Sequence, residues 1–461
     1  MNIDSFSALR LPREILFGEN QVAALGKMSS RLGNRALVCT DTRFSGTPAF
    51  MDICRHLEEA SIKIEVFDRV EPDVPCENVH QSVDSARAFA PDVVIGLGGG
   101  SCIDLAKCTS LLLTHGEKLE DYYGEFKVPG PVIPTIAVPT TSGTGSEVTP
   151  VAVVSDSGRE LKVGISSPYI VPKGAICDPL LTWSSPPLLT AIAGADALTH
   201  AIEAFTAVQR QPDSDLAQNH VFVGKNAFSD MFALKAIKLL GQSLEAAYRD
   251  GNTRKARSDM MLGALSAGCA FAAAGTSLAH AIQYPIGAIT KTAHGLRVAT
   301  MLPFVMNYNR GYAMEAMCDI ALALGLKPDS QTPEQFSRLA ITETRRLLSA
   351  IAIPTSLREL GLPEDQLTWV ADQSMGIGRL IKNNPRQIDG EGMKHLLRAA
   401  YHGDLPARHR FDPRLSQTRG KSTWQLIKIL SRTASTANTS SEASRGFMLV
   451  GFGGRRLQIA A

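Results

Sequence analysis

Asp196 and His200 stand four apart in the stretch Gly194-Ala195-Asp196-Ala197-Leu198-Thr199-His200-Ala201-Ile202-Glu203. On a helix that spacing puts both side chains on one face. A carboxylate and an imidazole so placed make half of a divalent-metal site. About 80 residues later, Leu278-Ala279-His280-Ala281-Ile282-Gln283-Tyr284-Pro285 supplies a second imidazole, and His294-Gly295 a third. Three nitrogens and one oxygen suit Fe²⁺ or Zn²⁺ better than Mg²⁺ or Ca²⁺. Each piece also has a plainer reading. Pairs at i and i+4 are common on solvated helices, and a histidine between Ala and Ile often sits satisfied in a core.

Alternating elements must position such a set. Through the first 140 residues, β-branched runs alternate with helical patterns. Strands are expected at Arg35 to Thr40, Ile62 to Phe67, Asp92 to Leu97 and Val132 to Val138, with helices over Pro48 to Ala60 and Glu77 to Ala90. This order predicts a parallel sheet covered on both faces. Ligands then bind beyond the carboxyl ends of its strands.

Three stretches at those ends could hold a nucleotide. Asp41 directly follows the first of these strands; its carboxylate either accepts from a ribose diol, favouring NAD(H) over NADP(H), or caps a turn. After Asp92 to Leu97 comes Gly96-Leu97-Gly98-Gly99-Gly100-Ser101, where glycines admit a pyrophosphate to a helix N-terminus. The spacing differs from G-x-G-x-x-G. The loop Pro139-Thr140-Thr141-Ser142-Gly143-Thr144-Gly145-Ser146-Glu147-Val148-Thr149 interleaves hydroxyls with glycines. A hairpin is expected next, Pro150 to Val154 and Leu161 to Ile165 about a turn at Asp156-Ser157-Gly158. Lys162 on its second strand either reaches a phosphate or is a solvated edge residue.

Together these pieces resemble the iron-containing, group III alcohol dehydrogenase family, from about Phe6 to Asp404. The resemblance is carried by Gly98-Gly99-Gly100-Ser101 with Asp104, the 139–149 loop, Asp196-x-x-x-His200, and His280 and His294. Ala267-Gly268-Cys269-Ala270-Phe271 and Asn384-Pro385-Arg386 add to it. It implies an α/β dinucleotide-binding domain with a parallel sheet (1–185), then an all-α metal-binding domain (186–404), in the dehydroquinate-synthase-like arrangement. It further implies Asp196, His200, His280 and His294 as metal ligands. Gly98, Gly99, Gly100, Ser101, Asp104, Thr140, Thr141, Thr144 and Lys162 would line the dinucleotide, with Asp41 at the adenosine ribose. Tyr284 replaces a histidine common four residues after the third ligand, so a phenol would serve there in proton relay or substrate contact. Val298 and Ala273 stand where asparagines are often found, which points away from short diols.

The implied activity is reversible hydride transfer between NAD(H) and an alcohol/carbonyl pair, with Fe²⁺, or alternatively Zn²⁺, polarising the oxygen. A Zn²⁺-dependent polyol dehydrogenase of the glycerol type and a 4-hydroxybutyrate-type hydroxyacid dehydrogenase are alternatives. A nucleotide-binding protein without turnover is the alternative of another class.

Composition agrees with an enzyme. The chain has 461 residues, 44% hydrophobic and 20% charged, ordinary for a globular protein of two domains or more. No unbroken run of 18 apolar residues and no secretory signal stand out, and the eight cysteines form no C-x-x-C pair. A cytoplasmic protein with reduced thiols is expected, without a membrane or nucleic-acid partner, as a homodimer or higher homo-oligomer acting on a small molecule. The net charge of +2 conceals a basic tail: residues 405–461 carry eight Arg, two Lys, one Asp and one Glu, or +8, which leaves the body at −6. That tail lacks the periodicity of the body and is expected to be disordered.

From Pro186 onward the pattern is helical, notably Pro187 to Thr206, Asn226 to Tyr248 and Arg254 to Ala274. Pro285 and Gly287 are expected to interrupt the segment between His280 and His294 and bend it.

Overall fold

Short apolar runs bounded by turn residues become strands here, and longer ones with a three-to-four-residue step become helices. In a computed structural model, which describes residues 6–116, 118–158 and 162–405, the strands are β1 (Glu14–Phe17), β2 (Arg35–Cys39), β3 (Lys63–Phe67), β4 (Val93–Gly98), β5 (Gly124–Glu125), β6 (Thr135–Pro139), β7 (Val151–Val154), β8 (Val163–Ser166) and β9 (Gly174–Cys177). The helices among them are α1 (Leu25–Ser30), α2 (Thr42–Ser45), α3 (Pro48–Glu59), α4 (Cys76–Ala86) and α5 (Gly100–His115). The expected 405–461 tail lies outside the described residues after Leu405.

Six strands form one parallel sheet in the order β1-β9-β6-β4-β2-β3. Because side chains alternate along a strand, each strand feeds two cores. Ala36, Val38, Val93, Ile95 and Leu97 pack with Phe50, Ile53 and Leu57 of α3. Leu37, Cys39 and Val94 pack instead with Val79 and Val83 of α4 and Leu105 and Leu111 of α5. From β2 the chain moves outward to β3, then returns to place β4 on the other side of β2. That reversal opens a crevice at the carboxyl ends of β2 and β4, where Asp41 and Gly98 to Ser101 stand.

A three-stranded sheet, β5-β8-β7, flanks this layer. Its β7–β8 hairpin is antiparallel, as expected, but Lys162 falls one residue before β8 rather than on it, and Leu161 lies outside the described residues. Lys107, buried on α5, holds the segment leading into β7. Its ammonium donates to Ser146 Oγ (3.0 Å), Thr149 O (3.0 Å) and Val151 O (2.8 Å). Burial pushes Lys107 down to about 8.

Beside it, Glu147 is 2% exposed, and burial pushes its carboxyl up to about 7 against the opposing charge of Lys107. An acid whose folded value is raised lends its stability below the unfolded value and loses it as pH rises through the folded one. Ionised Glu147 therefore costs the fold roughly 3 kcal/mol well above neutrality. Glu147→Gln is expected to gain several degrees of melting temperature on the wild type at pH 8.5 and little at pH 5. A gap that stays constant between the two pH values would refute this.

The remaining chain is helical: α6 (Pro187–Thr206), α7 (Leu216–Asn219), α8 (Ala227–Arg249), α9 (Arg254–Ala274), α10 (Leu278–Thr290), α11 (His294–Asn309), α12 (Met314–Ala323), α13 (Pro333–Ala350), α14 (Leu367–Met375), α15 (Gly378–Lys382) and α16 (Gly390–His402). At its centre α6 is apolar nearly all round and packs against α8, α9 and α11. Its length and hydropathy would let it cross a bilayer, yet most of it is buried inside the protein. A helix hydrophobic on every side is enclosed by other helices when the protein provides them. All described residues belong to one compact unit.

One expectation is corrected. His280 and His294 do lie on different elements, but the interruption is not at Pro285 or Gly287: α10 runs through both to Thr290, and α11 starts at His294. An interior proline costs about 3 kcal/mol. Leu278, Ile282 and Ile286 are fully buried on the same helix, and at about 1.5–3 kcal/mol each they outweigh that cost. Gly287 has a different task. A Cβ there would lie 2.1 Å from Arg297 Nη1, so the glycine makes room for a guanidinium that donates to Thr292 O at 2.7 Å. The turn comes later, at Lys291 to Ala293, with Lys291 in the left-handed region at φ 53°.

Candidate active site

α6, α10 and the first residue of α11 bring Asp196, His200, His280 and His294 to one place. One ligand atom from each lies within 4.8 Å of all the others. From Asp196 Oδ1 the distances are 3.8 Å to His200 Nε2, 3.7 Å to His280 Nε2 and 3.4 Å to His294 Nε2. Bonds of about 2.0–2.1 Å in a tetrahedron give edges of roughly 3.3–3.5 Å, so a small contraction would seat a transition-metal ion. The hydrogen bonding supports that fit. Asp196 Oδ1 and His280 Nε2 are buried and have no hydrogen-bond partner, an expensive arrangement for groups meant only to support the fold. The borderline-soft donor set suits Fe²⁺ or Zn²⁺.

The electrostatics of the cluster follow from its burial. Burial raises Asp196, but the imidazoles of His200, His294 and His280 outweigh it and hold the carboxyl well below its usual range. Burial pushes His200 down to about 4 and also lowers His294. His280 goes the other way, to about 9, because Glu203 and Asp196 face its two nitrogens and overcome burial. With a divalent cation in place that proton must leave, since only the free imidazole lone pair binds.

Glu203 is the residue that sequence reasoning missed. It sits three residues after His200 on α6, fully enclosed. One oxygen accepts from His280 Nδ1 at 2.6 Å and from the Ser277 amide at 2.9 Å, the other from the Ala279 amide at 2.6 Å. The carboxylate thus caps α10 and fixes which nitrogen of His280 faces the cluster. The signal was available: the one carboxylate besides Asp196 on an apolar helix, one turn beyond a ligand candidate. His200 is oriented differently. Its Nδ1 has no partner, and its ring stacks on Phe271 at 4.3 Å and 20°, which gives Phe271 of the 267–271 stretch a function.

The cluster forms one end of a cavity of about 840 Å³, within the size range of cofactor and ligand sites. Of the four ligand candidates His294 is the least enclosed, its side chain 30% exposed against 5–7% for the rest. The other end is the crevice beyond β2 and β4, and the same cavity wall includes Gly99, Gly100, Ser101, Thr140, Thr141 and Thr144. Gly98 has φ +152°, and a Cβ there would meet Cys102 Sγ at 2.4 Å, so no other residue fits the turn. Gly99 is the N-cap of α5 without a side-chain cap, which leaves backbone amides of a four-turn helix facing the cavity.

The other candidates divide. Asp41 caps α2, its Oδ1 accepting from the amides of Arg43 (2.9 Å) and Phe44 (3.2 Å), and it also lines the cavity. Asp104 is committed to the protein, accepting from Ser146 Oγ and from the Val153 amide at 3.0 Å. Lys162 lines the cavity but is paired with Asp73, a residue no sequence pattern singled out. Tyr284, one turn after His280, is half-buried on the cavity wall. Val298 and Ala273 are buried in the helical core.

A doubly wound sheet whose glycine-rich strand end shares a cavity with three imidazoles and a carboxylate defines a class: two-part proteins built to hold a dinucleotide against a metal centre. The chain belongs to the iron-containing alcohol dehydrogenase family, oxidoreductases that act on alcohols. The family model "Iron-containing alcohol dehydrogenase" matches residues 12–179, and "Fe-containing alcohol dehydrogenase family, C-terminal" matches residues 190–401. The chain is 34% identical to long-chain-alcohol dehydrogenase 1 of Geobacillus thermodenitrificans, over 82% of this chain and 93% of that protein. It is 30% identical to the NAD-dependent methanol dehydrogenase of Bacillus methanolicus, over 85% and 98%. The crystal structure of a 1,3-propanediol oxidoreductase superposes with a TM-score of 0.80 at 31% identity, covering 86% of this chain and all of that one.

Proposed function

We propose that the protein is an NAD(H)-linked, Fe²⁺-dependent alcohol dehydrogenase and aldehyde reductase. The observation that carries this reading is the convergence of Asp196, His200, His280 and His294, with three buried polar atoms (Asp196 Oδ1, His200 Nδ1 and His280 Nε2) left unpartnered among them. When bound, the ion acts as a Lewis acid on the substrate oxygen while the nicotinamide donates or accepts the hydride. Asp196 and three neutral imidazoles would hold the ion, and Glu203 keeps His280 in the ligating tautomer. The amides at the start of α5 would receive the pyrophosphate, with Thr140, Thr141 and Thr144 on the facing loop.

Asp41 supports NAD(H) as the cofactor. Its carboxylate is fixed by two amides and would repel a 2′-phosphate. Arg43 stands 3.3 Å from it and is 87% exposed, so it offsets only part of that repulsion.

The test is anaerobic purification with elemental analysis, then an aldehyde and ketone screen with both cofactors. About one iron per chain and a preference for NADH of roughly tenfold or more in kcat/KM are expected. Zinc in place of iron would replace the metal assignment, and equal rates with NADPH would overturn the role of Asp41. Absence of turnover with every carbonyl compound would leave a nucleotide-binding protein.

A further inference from the structure

Three cations line the cavity: Arg43, Lys162 and Arg379. Arg43 and Lys162 are each paired with a carboxylate, Asp41 and Asp73. Arg379, on α15, is placed otherwise. Its one carboxylate neighbour among the described residues is Glu125, whose Oε1 lies 3.9 Å away, beyond hydrogen-bond distance, while its other oxygen accepts from the Val221 amide at 2.9 Å. The guanidinium lies over the Phe222 ring, 4.7 Å from its centroid. Stacking of that kind fixes the plane of the guanidinium and leaves its N–H edge available for a two-point hydrogen bond.

Two further donors share this wall. The Tyr284 hydroxyl makes no hydrogen bond among the described residues, and its ionisation is coupled to Arg379: burial raises the phenol while the positive charge of Arg379 opposes that. Thr276, nine-tenths buried, presents a hydroxyl without a hydrogen bond among the described residues. Arg297, by contrast, is committed to Thr292. A guanidinium whose carboxylate neighbour is no nearer than 3.9 Å, and a phenol and a hydroxyl without a hydrogen bond among the described residues, thus line the same cavity as His280 and His294.

We propose that Arg379 and Tyr284, with Thr276 of the same cavity, receive an anionic group on the substrate, so that the enzyme acts on short aldehydes bearing a carboxylate or sulfonate at the end opposite the carbonyl. This rests on the alcohol dehydrogenase reading and narrows it to a substrate class. It also gives Tyr284 its place: a phenol donates to an anion without adding charge, and its hydroxyl stays protonated across the working range because burial raises it. Donors left unpaired in a wall favour a ligand that satisfies them over one that does not.

The test compares chain-matched aldehydes on the iron-loaded wild type: butanal against succinic semialdehyde, and propanal against sulfoacetaldehyde. A kcat/KM ratio of roughly 10 to 100 in favour of the anion is expected, the weight of charge-assisted hydrogen bonds. The two pairs show separately whether the carboxylate or the sulfonate is taken. Arg379→Gln is expected to lower that ratio roughly tenfold or more, mainly through KM, and Arg379→Lys to restore part of it. Tyr284→Phe, which removes only the hydroxyl, is expected to lower the ratio several-fold. Wild-type ratios at or below one for both pairs would overturn the proposal while leaving the alcohol dehydrogenase reading standing. So would variants that slow anionic and neutral aldehydes alike. Failure to turn over any of the four aldehydes with either cofactor would instead bring down that broader reading, and this proposal with it.

Discussion

Replacing His280 with alanine is expected to remove most of the bound metal and at least roughly a thousandfold of the turnover. Three orders of magnitude correspond to about 4 kcal/mol, within the several kcal/mol that a Lewis acid contributes to a developing alkoxide. The geometry explains why the loss should be this large. His280 is the ligand candidate whose outer nitrogen, Nδ1, is fixed by a buried carboxylate, Glu203, so that its free Nε2 faces the cluster. Its removal leaves Asp196, His200 and His294, too few donors to fill a tetrahedron without water. The fold should survive, since Glu203 keeps the amides of Ser277 and Ala279 as donors. Elemental analysis and steady-state rates on protein reconstituted under anaerobic conditions provide the check. Wild-type metal content and rate in the variant would show that the four side chains meet for another reason.

The second large effect is expected at Glu203, which touches neither cofactor nor substrate. Glu203→Gln keeps the size and one acceptor but places an amide N–H against the amide of Ala279 or Nδ1 of His280. Metal affinity is expected to fall roughly 10- to 100-fold, as for other carboxylates that orient a ligating histidine. Glu203→Ala goes further and leaves two buried amides at the start of α10 unpaired, at about 1–3 kcal/mol each. The pair of variants separates the two tasks. Gln should lose metal with a modest drop in melting temperature, whereas Ala should lose both. Equal metal binding in wild type and Glu203→Gln would show that the carboxylate serves only as a helix cap.

Much of this was legible in the chain. Strand and helix spacing placed the parallel layer and the helical half, because burial on one or two faces imposes its period directly on the residues. The pair Asp196 and His200 could be read because helical geometry fixes the relation between positions four apart. Less visible were contacts that depend on how elements meet. Gly287 and Pro285 read as a helix break, since local propensity disfavours both, yet burial of α10 overrides propensity and Arg297 fills the space beside the glycine. Asp104 read as a nucleotide contact, and it does line the cavity, yet each of its oxygens also accepts from the protein, from Ser146 and from Val153, which no spacing announces. Lys162 pairs with Asp73, about 90 residues earlier in the chain, a contact that no local pattern announces.

The residue types alone decided which chemistry was available. Imidazoles and carboxylates bind transition metals, glycines after a strand admit a phosphate, and these properties belong to the side chains whatever surrounds them. Only the packed protein decided which of those groups are free to act. A hydrogen bond made within the fold takes a donor or acceptor out of service, and that depends on neighbours distant in sequence. Glu203 became the support of His280, and Arg379 was left without a hydrogen-bonded carboxylate, for this reason.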